Sequence, residues 1–172
     1  MIPETIKKFS QQLSFNPVIE NASKLRSAKS FIIAGMGGSH LAADLLKTWD
    51  PSAPIIVHSN YALPHLSIEE LKQSLIIASS YSGNTEETID SFEKARSRKL
   101  KVAAISTGGK LLKLAKKYDI PFIRACGAGI AFARGGICKE CNPCVESCQK
   151  IHFLKDLPQA LSKIKKNQRI DK

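Results

Sequence analysis

A doubly wound α/β domain, with about five parallel strands and helices on both faces of the sheet, is the fold this sequence predicts. Three observations lead there. Short apolar runs alternate with segments of helical periodicity along the chain. The runs are apolar throughout, as strands covered on both faces are. The segments between them are long enough to serve as crossovers between parallel strands. A length of 172 residues suits one domain with a core of its own.

The elements follow in order. Residues 3–14 and 17–27 read as two short helices, with Pro3 and Pro17 where a first helical turn tolerates proline. Residues 30–34 form a compact strand that Gly35-Met36-Gly37-Gly38 breaks, and 39–49 resumes helical spacing through Leu41, Leu45, Leu46 and Trp49. Strands follow at 55–57 and 75–78, a helix at 85–98, a strand at 102–105, a helix at 110–118 and a last strand at 121–123. The expected organisation is N-terminal helices over 1–27 packing on a domain at 28–150, then a basic helix and tail at 151–172. In that tail Leu154, Leu157, Leu161 and Ile164 make an apolar stripe that has to bury itself somewhere. No internal repeat or low-complexity segment interrupts the pattern.

Twenty-six Lys and Arg against fifteen Asp and Glu give a net charge of +11, which invites anionic partners. The cations punctuate helical segments, where a charged stripe is the solvated face. Aromatic residues make up only 6%, and no zinc-finger or RNA-binding signature is present, so no nucleic-acid partner is expected. No run approaches the roughly 20 apolar residues of a membrane span, and the N-terminus lacks a signal-peptide core. With five cysteines and no export signal, the expected setting is the cytoplasm, with no membrane partner.

In a sheet of this kind, ligands bind beyond the carboxyl ends of the strands. Three of those ends carry small, polar loops: Gly35-Met36-Gly37-Gly38-Ser39-His40, then 79–87 with Ser80-Tyr81-Ser82-Gly83-Asn84-Thr85, then Ser106-Thr107-Gly108-Gly109-Lys110. Each opens into a helix, whose first N–H groups attract an anion. Gly37, Gly38, Ser39, Ser80, Ser82 and Thr85 are the candidate phosphate ligands. A dinucleotide fingerprint is incomplete, since His40 stands at the third glycine and no acid follows the second strand. Gly109-Lys110-Leu111 lacks the spacing and hydroxyl of a P-loop. The plain alternative is three ordinary strand-to-helix turns, and their repetition on one sheet edge weighs against it.

Ser80-Tyr81-Ser82-Gly83-Asn84-Thr85-Glu86-Glu87-Thr88, with Gly35–Ser39 before it and Gly108-Gly109-Lys110-Leu111 after it, resembles the sugar isomerase (SIS) domain. More narrowly, these blocks resemble the N-terminal half of bifunctional phosphoglucose/phosphomannose isomerases, as do Tyr61-Ala62-Leu63-Pro64 and 149–153. The resemblance implies a flavodoxin-like SIS domain that holds a sugar phosphate on Gly38, Ser39, Ser80, Ser82 and Thr85. It also implies aldose–ketose isomerisation of glucose 6-phosphate or mannose 6-phosphate to fructose 6-phosphate. That chemistry needs a base, a ring-opening acid and a cation for the enediolate. The resemblance places the glutamate base and the histidine in a second SIS half, before which this chain is expected to stop. It places an arginine in the first half, after a Gly-Ile-x-Pro element. Gly129-Ile130-Ala131-Phe132-Ala133-Arg134 approximates that element without its proline, so Arg134 is the catalytic candidate. Glu86, with Glu87, is a weaker one, because acids in a helix's first turn also serve as dipole-stabilising caps. The expected partners are a sugar phosphate and either a second copy of the chain or a separate C-terminal SIS half, with little turnover by the chain alone and no cofactor. A sugar-phosphate-binding regulatory module is the alternative.

A third possibility comes from Cys138, Cys141, Cys144 and Cys148, spaced as in bacterial [4Fe–4S] ferredoxins, which would make the chain an electron carrier. Glutamine follows the last cysteine where proline is usual, and no second motif exists. Spacing of three and four residues equally describes a helix's apolar face. No metal site is assigned. His40 could touch a ligand at the first loop, whereas His58, His65 and His152 receive no role.

Overall fold

The computed structural model describes residues 17–125, and Ile19–Ala125 form one compact unit. Six strands make a single sheet: β1 (Ile19–Glu20), β2 (Ser30–Ala34), β3 (Ile55–His58), β4 (Ser74–Ser80), β5 (Lys101–Ser106) and β6 (Phe122–Arg124). Their spatial order is β1-β6-β5-β4-β2-β3. All pairs are parallel except β1 with β6, which is antiparallel through Ile19↔Ile123 and Glu20↔Phe122. The five parallel strands alone run second, first, third, fourth, fifth, the flavodoxin-like winding. The direction of winding reverses between β2 and β4, so the crevice that binds ligands in such sheets lies at their carboxyl ends.

Four α-helices connect the strands: α1 (Leu41–Trp49), α2 (Ile68–Gln73), α3 (Glu86–Ser97) and α4 (Gly109–Lys117). Right-handed crossovers put α1 on one face, because β2 to β3 runs opposite in direction to the later connections, and α2, α3 and α4 on the other. That second face holds the core. Ile32, Ile76, Ala78, Val102, Ala104 and Phe122 point from the strands against Leu71, Ile89, Phe92, Ala95, Leu111 and Ala115 of the helices. Phe92, Ile32, Ile76 and Leu111 are fully buried. Burying side chains of this size stabilises a fold by about 1.5–3 kcal/mol each.

Two sequence expectations are corrected. Residues 17–27 are not a helix: Ile19–Glu20 pair as an edge strand and only Ala22–Lys24 make a 3₁₀ turn. Asn21 has φ 56°, which ends any helical run at its start, and its side chain reaches the Ile120 carbonyl at 3.4 Å. The strand pairing across the sheet edge outweighs the local apolar spacing. The helix α2 was not expected, although its start carries a legible signal. Ser67 Oγ accepts from the Glu70 N–H at 3.2 Å and the Glu70 carboxylate accepts from the Ser67 N–H at 2.8 Å, a complete capping box.

Candidate functional site

The three polar loops at the carboxyl edge lock into one another. Between the first and second, Ser79 Oγ donates to the Ser39 carbonyl at 2.8 Å and the Tyr81 N–H donates to Ser39 Oγ at 3.3 Å. Gly35 sits so close that an added Cβ would stand 2.7 Å from the Ser79 carbonyl oxygen. Between the second and third, Thr107 Oγ1 donates to the Tyr81 carbonyl at 2.6 Å. The Lys110 N–H donates to Asn84 Oδ1 at 3.0 Å, and the Leu111 N–H to the Gly83 carbonyl at 2.8 Å. Gly83 and Gly109 have φ of 68° and 70°, and a Cβ on either would collide with the other loop's backbone.

Other glycines face outward. A Cβ at Gly37, Gly38 or Gly108 would meet nothing within 4 Å, so the backbone there is open to an approaching ligand. Two of the helices behind these loops are also left open at their starts. His40 before α1 and Thr85 before α3 make no side-chain cap bond, whereas the Lys110 and Leu111 N–H groups of α4 are taken by Asn84 Oδ1 and the Gly83 carbonyl. The contrast is α2, whose start carries a complete capping box. An uncapped helix start presents N–H groups without intrahelical acceptors and a partial positive charge, the two things an anion needs.

The hydroxyls divide into two kinds. Ser80 is 1% exposed; its Oγ lies 2.8 Å from Thr85 Oγ1 and accepts from the Gly83 N–H at 3.1 Å. It holds the turn from beneath. Ser82 is exposed, and its Oγ accepts from the Asn84 N–H at 3.2 Å, which leaves its own proton to donate. Ser39 and Thr85 are half-buried at the surface of the crevice. Sequence reasoning grouped all four hydroxyls. The small-polar pattern does not distinguish a hydroxyl that faces the crevice from one that stitches the turn.

Beside α3 stand residues that the loop motifs alone did not mark. Tyr61, from the β3–α2 connection, donates from its hydroxyl to Glu86 Oε2 at 3.3 Å. The carboxylate of Glu87, with smaller contributions from burial and from Glu86 and Asp90, holds the Tyr61 hydroxyl above the ordinary tyrosine pKa, so it keeps its proton. Asp90 lies below the usual carboxylate range because Lys94 donates to it at 2.7 Å. His40 pairs with Asp44 at 2.6 Å. Arg134, Cys138, Cys141, Cys144, Cys148 and the 154–164 stripe lie outside the described residues. Among the described residues no group of His, Cys, Asp and Glu could hold a metal ion. No helix among them is long and apolar enough to cross a membrane.

Part of the positive charge gathers elsewhere. A cleft of about 410 Å³ at the amino ends of the strands is lined by Lys24, Arg26, Arg96, Lys99 and Lys101. It lies against the carboxyl ends of α3 and α4, where cations complement the helix dipole, and Arg96 stacks on Tyr118 at 3.9 Å.

Comparison with known proteins gives a consistent answer. The chain is 37% identical over 127 residues to a bifunctional phosphoglucose/phosphomannose isomerase of Caldicellulosiruptor bescii, a match that takes in 69% of this chain and 35% of that one. It is 31% identical over 127 residues to the Aquifex aeolicus protein of the same name, covering 69% of this chain and 38% of that one. It is 27% identical over 100 residues to a D-glucosamine-6-phosphate 4-epimerase of Sulfolobus acidocaldarius, covering 58% of this chain and 31% of that one. No protein-family model matches the chain. The chain thus aligns with little more than a third of the length of the curated relatives it matches, and it is related to the phosphoglucose/phosphomannose isomerases by moderate-identity homology consistent with an SIS-like domain.

Proposed function

We propose, from that relation as premise, that the chain is an SIS domain that binds a hexose phosphate in the crevice between β2 and β4. The observation that carries this reading is the set of three interlocked loops, the first two of which open helices without a side-chain cap. The backbone of Gly37 and Gly38, the hydroxyls of Ser39, Ser82 and Thr85, and the first N–H groups of α3 surround the phosphate. Ser80 shapes the turn that presents them. That a 4-epimerase and the isomerases both match this chain supports a shared phosphate grip, because their names describe different reactions on phosphorylated sugars.

The reaction we propose for the assembled site is isomerisation of glucose 6-phosphate or mannose 6-phosphate to fructose 6-phosphate. This chain's share is to fix the phosphate and so orient C1 and C2, a contribution of positioning. Arg134 is the proposed cation for the enediolate. Glu86 is engaged with Tyr61 and is the weaker candidate for a base. The proton-moving carboxylate and the ring-opening group then belong to a second SIS half, which a second copy of these residues would not recreate. The stripe of Leu41, Leu45 and Trp49 along α1, more than half exposed at every position, supports such a pairing. A binding module without turnover is the second reading.

Calorimetric titration of the full chain tests the proposal. Glucose 6-phosphate is expected to bind and glucose is not. Ser82→Ala with Thr85→Ala is expected to remove binding, since each lost donor to a charged phosphate costs about 1.5–3 kcal/mol. Equal binding of glucose and its phosphate contradicts it.

A further inference from the structure

The connection after β3 is built with unusual rigidity around one half-exposed side chain. All four backbone polar groups of Tyr61 and Ala62 have partners. The Tyr61 N–H donates to Asn60 Oδ1 at 2.8 Å, and the Tyr61 carbonyl lies 3.2 Å from His58 Nε2. The Ala62 N–H donates to Asp90 Oδ2 at 2.6 Å, and the Ala62 carbonyl accepts from the fully buried Ser91 Oγ at 2.6 Å. Ala62 itself has φ 65°, a left-handed conformation that an alanine adopts only when its surroundings impose it. Leu63 then anchors the segment in the core at 8% exposure. The bonds to Asp90 and Ser91 tie the loop to α3, the helix whose first turn carries Glu86. Yet the Tyr61 side chain is 50% exposed, and its hydroxyl bonds Glu86, one residue beyond Thr85. Packing does not account for a fixed backbone that presents an exposed aromatic hydroxyl.

We infer that Tyr61 and Glu86 form the sugar-reading part of the site, taking the hydroxyl-bearing portion of a ligand whose phosphate rests on Ser39, Ser82 and Thr85. This rests on the phosphate site proposed above and adds to it the residues that take the sugar. A carboxylate accepts from vicinal hydroxyls, and a tyrosine held in its protonated form both donates and accepts. The same carboxylate repels a second phosphate, so the pair selects a polyhydroxylated monophosphate over a bisphosphate. Fixing the loop in advance spares the ligand the cost of ordering it.

The test titrates the full chain and two variants, Tyr61→Phe and Glu86→Gln, with inorganic phosphate, glucose 6-phosphate and fructose 1,6-bisphosphate. Tyr61→Phe is expected to weaken glucose 6-phosphate about tenfold while leaving inorganic phosphate within about twofold. Glu86→Gln is expected to lower the preference for glucose 6-phosphate over inorganic phosphate and to admit the bisphosphate more readily. If the parent chain binds glucose 6-phosphate and neither variant alters its preference over phosphate, this inference fails while the phosphate site stands. If the parent chain binds neither ligand, both fail. Both positions are exposed, so unchanged thermal unfolding of the variants excludes a folding defect.

Discussion

Gly83→Ala tests whether the second and third loops really interlock. At φ 68° an alanine pays roughly 1 kcal/mol in backbone strain. Its Cβ would lie 2.7 Å from both the Gly108 carbonyl carbon and Ser106 Oγ, closer than any ordinary contact, so the loops must separate. Separation sacrifices the 2.8 Å bond from the Leu111 N–H to the Gly83 carbonyl and the 3.1 Å bond from the Gly83 N–H to Ser80 Oγ. Each is worth about 1 kcal/mol. Alanine's stiffer unfolded chain returns about 0.4–1 kcal/mol. The net loss is about 2 kcal/mol, or about 4–8 °C in Tm for a chain of this length. Urea and thermal unfolding measure it. Gly38→Ala is the control, because its Cβ meets nothing within 4 Å and its backbone is unstrained. It is expected to stay within about 0.5 kcal/mol of the parent yet weaken phosphate, since the methyl group enters the open crevice. A Gly83→Ala protein as stable as Gly38→Ala would refute the interlock.

Three further outcomes are expected. Ser67→Ala removes the capping box of α2 and is expected to cost about 1 kcal/mol in urea unfolding without altering phosphate binding. Asp90 titrates below the usual carboxylate range through Lys94, so its stabilising contribution is full above the ordinary carboxylate pKa and is lost as pH falls through the depressed folded value; Asp90→Asn is expected to flatten that acid limb, and an unchanged pH–stability curve would count against the pairing. Sedimentation of the 172-residue chain is expected to show self-association, with isomerase turnover near background; a monomer would refute the pairing, and robust turnover would point to Glu86 or Glu87 as the base.

Much of the sheet was legible because its strands are nearly pure apolar runs. The spans 30–34 and 121–123 match Ser30–Ala34 and Phe122–Arg124 to within a residue. The strand read at 75–78 in fact extends from Ser74 to Ser80, because Ser74 pairs with Ser30 and Ser79 and Ser80 pair with Ile105 and Ser106, serines that apolar patterning excludes. The edge strand at Ile19 was illegible for a different reason: its partner Ile123 is about a hundred residues away, and only tertiary pairing creates it. At the site, glycine and hydroxyl spacing marked all three loops. The division between Ser80 beneath the turn and Ser82 upon it was not readable, since both sit in one small polar run. Tyr61 was visible only as part of a motif, because the bonds that aim it come from Asp90 and Ser91, nearly thirty residues later.

Amide NMR of the full chain during titration with glucose 6-phosphate tests the central claim most directly. The account predicts that the N–H signals of Gly37, Gly38, Ser39, Ser82, Glu86 and Glu87 move together along one binding curve, while those of Lys24, Arg26 and Lys101 in the basic cleft stay still. Shifts confined to the basic cleft, or none at saturating ligand, would contradict it.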